Sequence, residues 1–392
     1  AVYIGGPGFG ARVEAANAFD DIRKLTEFAH RFNARVYMTL NTIVNDEERK
    51  DAVRLAHLAY ENGVDALIVQ DMGILDSDLP PIQLHASTQC DVRTAEKARF
   101  LESVGFSQVV LAREMNLDEI AQCYKALQSA RIEYFIHGAL CVSYSGQCYA
   151  SFAATGRSAN RGACAQLCRL PYSVYTESGK ELIHDRHVLS LKDNNQTDNL
   201  EALIDAGVRS FKIEGRLKDA SYVKNITAHY RQVLDRILAK RVDLKRASDG
   251  ISYIDFTPDP AKAFNRGFTD YFTRGRHHDI AVFETPKNTG EKIGEIVRVT
   301  NETLEVKSRE TIHNADGLTY LTRERKLMGF AVNRAEEIQT GLWRLTLRER
   351  PILKKHPQLA PGLTIYRNRD QAWEEMLSKP TAKRLIGLKA QW

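Results

Sequence analysis

The stretch RVYMTLNTIVNDEERKDAVRLAHLAYENGVDALIVQD, residues 35–71, reads as one strand–helix–strand unit. RVYMTL and ALIVQD are short apolar runs rich in branched and aromatic residues, the pattern of strands covered on both faces. Between them EERKDAVRLAHLAYENGV, from Glu47, sets apolar residues three and four apart and so gives a helix one apolar face. A strand, a crossover helix and a second strand predict two parallel neighbours.

The same alternation recurs on both sides of this unit. Strands are expected at AVYIGG (from Ala1), IQLHAS (from Ile82), QVVLAR (from Gln108), EYFIHG (from Glu133) and SFKIEG (from Ser210), with a further amphipathic run NLEALIDAGV from Asn199. Seven strands in β-then-α order predict an α/β protein with a parallel sheet. A closed barrel needs eight, and the chain opens directly on a strand, at an alanine. The expectation is therefore a TIM-type (β/α)8 barrel lacking its first βα unit in this chain, with a doubly wound open sheet as the competing architecture. YVKNITAHYRQVLDRILAKR, from Tyr222, reads as a long helix closing the barrel. Residues 1–245 would form the barrel, 246–278 a polar connecting segment, and 279–392 a small antiparallel β domain. Its strands are expected at KIGEIVRVT (from Lys292), TLEVKSRE (from Thr303), ADGLTYL (from Ala315) and LWRLTLRE (from Leu342).

Hydrophobic residues make up 43% and charged residues 27% of the 392, and neither an 18-residue apolar run nor a signal-peptide pattern is present. This composition argues against a membrane protein and places the chain in the cytoplasm. The net charge of +5 is unevenly spread: from Arg276 onward there are 21 Lys/Arg against 15 Asp/Glu, whereas residues 1–275 hold 34 against 35. A basic appendage on a neutral body points to a polyanion such as RNA.

Four of the six cysteines fall in CVSYSGQCYASFAATGRSANRGACAQLC, residues 141–168. A local cluster in a large cytoplasmic chain suggests ligands rather than disulfides. Cys141, Cys148, Cys164 and Cys168 follow the strand ending at Gly138, so they would sit on a long loop at the barrel rim. Four thiolates suit either a tetrahedral zinc or an iron–sulfur cluster. Only Cys164 and Cys168 approach a zinc knuckle; the wider gaps suit a larger cluster in a wrapping loop, and unliganded redox thiols are a third possibility. Gly138, Gly146, Gly156 and Gly162 would let the backbone bend close and aim N–H groups at sulfur, while Arg157, Arg161 and Arg169 would offset charge or grip an anion. Cys123 lies in a helical run and reads as core; Cys90 follows a strand and is open.

Polar residues recur where the predicted strands end: Asn41, Asp71, His85, Arg113, Glu114, His137, Lys212, Glu214 and Arg216. Barrel enzymes build their sites at that rim. His85, Arg113, Glu114, His137, Lys212 and Glu214 are accordingly the candidate catalytic groups.

EYFIHGALCVSYSGQCYAS, from Glu133 to Ser151, closely resembles the signature of the collagenase-like peptidases of unknown catalytic type, with Ala150 where a larger aliphatic residue is usual. AVYIGGPGFGAR (from Ala1), SFKIEGRLKD (from Ser210) and NRGFTDYF (from Asn265) extend the resemblance over most of the chain. That family includes iron–sulfur hydroxylation factors acting on RNA pyrimidines or the ubiquinone ring. CYASFAATGRSANRGACAQLCRLPY, from Cys148, looks most like the branch that makes 5-hydroxycytidine in 23S ribosomal RNA; a sister branch makes 5-hydroxyuridine at the tRNA wobble position. The resemblance implies a [4Fe–4S] cluster on Cys141, Cys148, Cys164 and Cys168, and prephenate as a supporting metabolite. It implies ribosomal RNA or tRNA, together with the iron–sulfur assembly machinery, as partners. Family members usually carry a strand and helix before AVYIGG, and ribosomal-RNA members continue well past the last residue here, so the chain is expected to be part of a longer protein. Two further readings are a protease, for which neither HExxH nor GxSxG is present, and a zinc-stabilised RNA-binding module without catalysis.

Overall fold

β1 (Val2–Gly5), β2 (Val36–Leu40), β3 (Ala66–Val69), β4 (Gln83–Ala86), β5 (Phe106–Val110) and β6 (Arg131–Ala139) lie side by side, in parallel and in chain order. They belong to a computed structural model that describes residues 1–10, 16–215 and 218–390. After β6 the chain leaves the sheet for the cysteine segment and a hairpin of β7 (Tyr172–Tyr175) and β8 (Glu181–Arg186). It returns as β9 (Asp193–Asn195), which runs antiparallel to the last residues of β6. β10 (Val208–Ile213) then pairs in parallel along the body of β6. β11 (Ile251–Ile254) follows, and β12 (Phe268–Thr269) extends the sheet by pairing with β9.

Helices α1 (Phe19–His30), α2 (Arg49–Glu61), α3 (Ala95–Ser103) and α4 (Leu117–Ala126) connect the early strands. Their starts are set locally: Thr94 caps α3 by accepting from the Lys97 amide, and Asn116 forms a reciprocal box with Glu119 at α4. α5 (Ala150–Thr155) lies inside the cysteine segment, and α6 (Leu200–Asp205) and α7 (Ala220–Leu238) flank β10. Met38, Leu67, Val109, Ile132, Tyr134 and Ile136 point outward from the strands and share the main core with Ile22, Ala56, Leu101, Ile120 and Ile226 of the helices. The inner face holds a small apolar cluster of Tyr3, Tyr37, Ala66 and Ile68 beside polar groups.

The seven expected parallel strands are all present, but they do not close into a barrel among the described residues. β1 pairs only with β2, and β10 only with β6. The curl is nonetheless strong, because side chains cross from one edge to the other: the Tyr3 hydroxyl donates to the Glu133 carboxylate of β6, and Lys212 Nζ of β10 sits 3.7 Å from the Tyr3 ring centroid. Seven strands fall short of the eight that close this type of barrel. β9 also makes the sheet mixed rather than purely parallel. The fold is thus α/β with a curled, open, mainly parallel sheet and separate antiparallel sheets.

The last third forms a closed six-stranded antiparallel barrel. Its strands are β13 (Glu291–Val299), β14 (Leu304–Ser308), β15 (Gly317–Leu321), β16 (Leu327–Gln339), β17 (Leu342–Leu347) and β18 (Thr364–Arg369), in the order β13-β14-β17-β16-β15-β18. Ile296, Val306, Leu318, Tyr320, Leu345 and Ile365 fill it. After α8 (Ile352–Lys355) and β18, α9 (Gln371–Ser378) packs Trp373 and Leu377 against Phe256 and Ala228 of α7. β19 (Ala382–Leu385) pairs with β11. Lys224 of α7 donates to the Leu377 and Lys379 carbonyls at 2.6 and 2.9 Å, so the end of the chain is fastened back onto the first unit. The stretch 246–278 takes part in this by supplying β11 and β12. No helix among the described residues is long and apolar enough to cross a membrane.

Candidate functional site

Alternation along β6 turns Glu133, Phe135 and His137 to the inner face while Ile132, Tyr134 and Ile136 join the outer core. Glu133 is fully buried. Its carboxylate accepts from Tyr3, from Gln108 at 2.5 Å and from Ser210 at 2.8 Å, and Lys212 Nζ stands 3.5 Å away. Four strands meet through this one side chain. A charge can be buried here because donors surround it.

Phe135, two residues on, meets two cations. The Arg113 guanidinium is 4.2 Å from its ring centroid and Lys212 Nζ is 5.0 Å away. Arg113 also donates to Ser145 Oγ at 3.2 Å, linking the end of β5 to the cysteine segment. His85 is on the same inner face, edge-on to Tyr37 at 4.6 Å, and its buried Nδ1 has no hydrogen-bond partner among the described residues. Burial, aided by Arg35, Lys212 and Arg131, lowers its pKa to about 3. Glu114 is shifted the other way, upward, chiefly by burial, and its buried Oε2 has no hydrogen-bond partner among the described residues.

His137 stands apart from these groups. Its ring packs against Tyr222, Tyr230 and Phe268, and Nδ1 lies 3.3 Å from the Tyr230 hydroxyl. Burial lowers its pKa to about 3, with His229 adding to the shift. Glu214 donates its backbone N–H to the His137 carbonyl at 2.9 Å, and its own carbonyl accepts from the Tyr222 hydroxyl at 3.2 Å. Arg113, Lys212 and His85 thus share one surface with Glu114 at its rim, and His137 with Glu214 forms a second wall near α7. Arg216 lies outside the described residues. Tyr3, Gln108, Glu133 and Phe135 were not among the sequence candidates because they sit in mid-strand rather than at strand ends. A glutamate inside an otherwise apolar strand was the signal available for them.

All six cysteines are free thiols: Cys141 is exposed, and Cys148, Cys164 and Cys168 are partly buried. Burial raises the Cys168 pKa, the Arg169 guanidinium opposes it, and the neighbouring thiols of Cys141, Cys164 and Cys148 add to the rise. Cys123 is core on α4, and Cys90 points its sulfur at the Val69 and Gln70 carbonyls with its pKa pushed up to about 11 by burial. Neither joins the group.

The segment is fastened from several sides. Arg169 donates to Ser190 Oγ at 2.7 Å, the Leu191 carbonyl at 3.0 Å and the Leu140 carbonyl at 2.9 Å. Arg161 reaches the Ile43 carbonyl at 2.7 Å and Glu48 at 2.5 Å. These two arginines serve as ties within the fold, and neither is left to grip an external anion. The Gln166 amide points at Cys164 Sγ from 3.4 Å, an N–H···S contact made possible by the positive φ of 55° at Gln166. Gly146 has no room for a side chain, since a Cβ there would lie 2.2 Å from the Gln89 carbonyl oxygen.

Four thiolates are donors suited to either a zinc ion or an iron–sulfur cluster. Among the described residues, the trio His313, Asp316 and Asp370 is the one whose ligand atoms fall within 4.8 Å of each other, so no three cysteine sulfurs are that close. Tetrahedral zinc with Zn–S bonds of about 2.3 Å would hold its sulfurs about 3.8 Å apart. At the trio itself the carboxylates already face the protein's own cations: Arg367 is 3.7 Å from Asp316, and Lys262 is 2.9 Å from Asp370.

Residues 1–282 match the family model described as peptidase family U32, and the chain belongs to that family. It is 54% identical over 389 residues to the 23S rRNA 5-hydroxycytidine C2501 synthase of Escherichia coli (strain K12), covering 99% of this chain and 59% of that protein. The chain thus spans about three fifths of the length of that relative. It is also 33% identical over 290 residues to a collagenase of Porphyromonas gingivalis, with 70% of this chain and 68% of that one covered. To tRNA hydroxylation protein P1 of Bacillus subtilis it is 32% identical over 283 residues, covering 69% and 67%. The family resemblance expected from the cysteine segment is borne out.

Proposed function

We propose that this chain is the catalytic portion of an RNA C5-hydroxylase that converts a cytidine of 23S ribosomal RNA to 5-hydroxycytidine in the cytoplasm. One observation carries the reading: the 54% identity that runs over 99% of the chain to a 5-hydroxycytidine synthase. Four cysteines in one segment, with the Cys168 thiol raised in part by the other three, support a [4Fe–4S] cluster on Cys141, Cys148, Cys164 and Cys168, loaded by the iron–sulfur assembly machinery. Such a cluster supplies one-electron chemistry when bound.

The chain's own residues suit the remaining tasks. Arg113, 4.2 Å from the Phe135 ring centroid, with Lys212 at 5.0 Å from the same ring, would meet a carboxylate metabolite such as prephenate. His85 and His137 offer neutral ring nitrogens, and Glu114, raised by burial, is a proton donor nearer neutrality. Glu214 places the backbone beside His137. The basic last third would meet the RNA backbone. The contacts of Tyr3 with Glu133 and Lys212 support reading the curled sheet as most of a (β/α)8 barrel. A protease has less support, because among the described residues no hydrogen bond joins a cysteine thiol to a histidine ring, the pairing a cysteine nucleophile needs.

The test uses the full-length protein, purified without oxygen and analysed for iron, sulfide and zinc. In parallel, ribosomal RNA from cells lacking the gene is analysed by mass spectrometry after complementation with the parent or Cys164→Ala. Visible absorption with about four irons per chain, and 5-hydroxycytidine restored by the parent alone, are expected. Unchanged modification with the variant, or one zinc per chain and no iron, overturns the reading.

A further inference from the structure

We propose that α5 and its flank form a stacking platform for an unpaired nucleotide of the RNA, a reading that rests on the function proposed above. α5 is inverted relative to an ordinary surface helix. Its one buried side chain is Ser151, 2% exposed, whereas Phe152 is 61% exposed and Tyr149, at its N-cap, 68%. Apolar faces normally turn inward. Here the seat is polar: Ser151 Oγ accepts from the Ala165 amide at 3.1 Å and lies 4.0 Å from Cys164 Sγ. This docks the helix on the cysteine segment and leaves both rings outside. Three positions apart, they occupy neighbouring places on one helical face. Tyr149 directly follows Cys148, so a base stacked there would lie beside the proposed cluster.

Charge identifies the occupant. From Tyr134 to Thr176 the sequence contains no aspartate or glutamate, although acids are frequent elsewhere in the chain. Arg157, exposed just beyond α5, donates from its guanidinium to the Cys164 carbonyl at 3.5 Å. Within the same segment Tyr144, 45% exposed, carries the Arg93 guanidinium 4.0 Å over its ring, and Arg93 in turn pairs with Asp91 at 2.9 Å. Open π-faces, the exposed Arg157 guanidinium and a segment without acids of its own are features by which proteins hold single-stranded nucleic acid. A protein partner is less favoured by a segment without acids of its own, since interfaces between proteins pair charges of both signs at their rims.

The experiment measures binding of a fluorescent single-stranded RNA of about 12 nucleotides to the full-length, cluster-loaded protein. Tyr149→Leu and Phe152→Leu keep apolar bulk but remove the rings, and each should weaken binding about tenfold. Tyr149→Phe and Phe152→Tyr should bind like the parent, and Arg157→Gln should lower the salt slope by about one. As a measurement independent of variant folding, photocrosslinking of the parent to thiouridine-bearing RNA should label the peptide around 149–152. Leucine variants that bind RNA as tightly as the parent, or crosslinks confined to 279–392, overturn the platform, as does loss of self-association rather than RNA binding. If the parent binds RNA through these rings yet leaves its cytidine unmodified, the platform stands and the reading of function fails.

Discussion

Lys212 of β10 and Tyr3 of β1 stand face to face across the two edges of the parallel sheet, with the ammonium 3.7 Å from the ring centroid and no backbone ladder between the strands among the described residues. The same ammonium is 3.5 Å from Glu133, and Tyr3 donates to that carboxylate, so three side chains carry what a shared ladder would otherwise carry. Curvature of the sheet is here a matter of side-chain chemistry as well as strand twist.

That triad predicts a coupled loss of stability. Lys212→Met leaves the Glu133 carboxylate buried with neutral donors only, at a cost of about 3 kcal/mol. Adding Glu133→Gln removes the stranded charge and should restore part of the loss. A double-mutant cycle read by thermal unfolding should give a coupling of about 1–3 kcal/mol. Strictly additive losses would mean that the edges are held by something else.

The buried histidines predict an acid limb. His85 and His137 have folded pKa values of about 3, both lowered mainly by burial from 6.5. Between these limits the unfolded chain binds protons that the folded chain refuses. Their contribution is complete above pH 6.5 and is lost as the pH falls toward 3, at up to about 1.4 kcal/mol per pH unit for each ring. Melting temperatures of the parent should drop across pH 6 to 4, and His85→Gln and His137→Gln should each flatten the slope. A parent melting temperature independent of pH over that span would show that the rings are charged in the fold.

Much of this architecture was legible in the sequence, for reasons that also explain what was not. β1 to β6 and β10 were readable because most are apolar runs joined by amphipathic helices. β9 was not: Asp193, Asn194 and Asn195 carry no apolar signal, and their strand character comes from hydrogen bonds to β6 and β12. β7 is only four residues long and half-buried, β8 is mostly exposed and polar, and β16, though thirteen residues long, ends in the mostly exposed run Ala335–Gln339, so their patterns do not stand out from a loop. Strand ends singled out His85, Arg113 and Lys212 but passed over Glu133, whose carboxylate lies 3.5 Å from the Lys212 ammonium. Spacing also made Arg161 and Arg169 look like anion ligands, whereas each is spent on carbonyls and hydroxyl or carboxylate groups of the fold.

Two glycines of the cysteine segment make contrasting predictions. Gly146 has φ +72° and would press a Cβ to 2.2 Å from the Gln89 carbonyl oxygen, whereas Gly156, with the same φ of +72°, has nothing within 4 Å of that position. Gly156→Ala should cost only about 1 kcal/mol of backbone strain. Gly146→Ala must push the segment off Gln89 and should raise hydrogen exchange across 141–170 and cut iron loading severalfold, with melting of the C-terminal barrel unchanged. Equal behaviour of the two variants would show that the close approach to Gln89 does not hold the segment.

Arg169 predicts how firmly the cysteines are kept. It follows Cys168 directly and donates at 2.9 Å to the carbonyl of Leu140, the residue before Cys141, so one guanidinium ties the two ends of the segment together. Its other contacts, to Ser190 at 2.7 Å and Leu191 at 3.0 Å, fix both ends to the approach of β9. The fork geometry matters, since a lysine has one nitrogen and cannot reach three acceptors held in different directions. Arg169→Lys should therefore load iron but release it to a chelator several times faster than the parent, and Arg169→Met faster still, with two carbonyls and a hydroxyl left unpaired. Chelator kinetics identical in all three proteins would mean that the cysteines are positioned by the segment's own turns, and that the tie to β9 serves the hairpin instead.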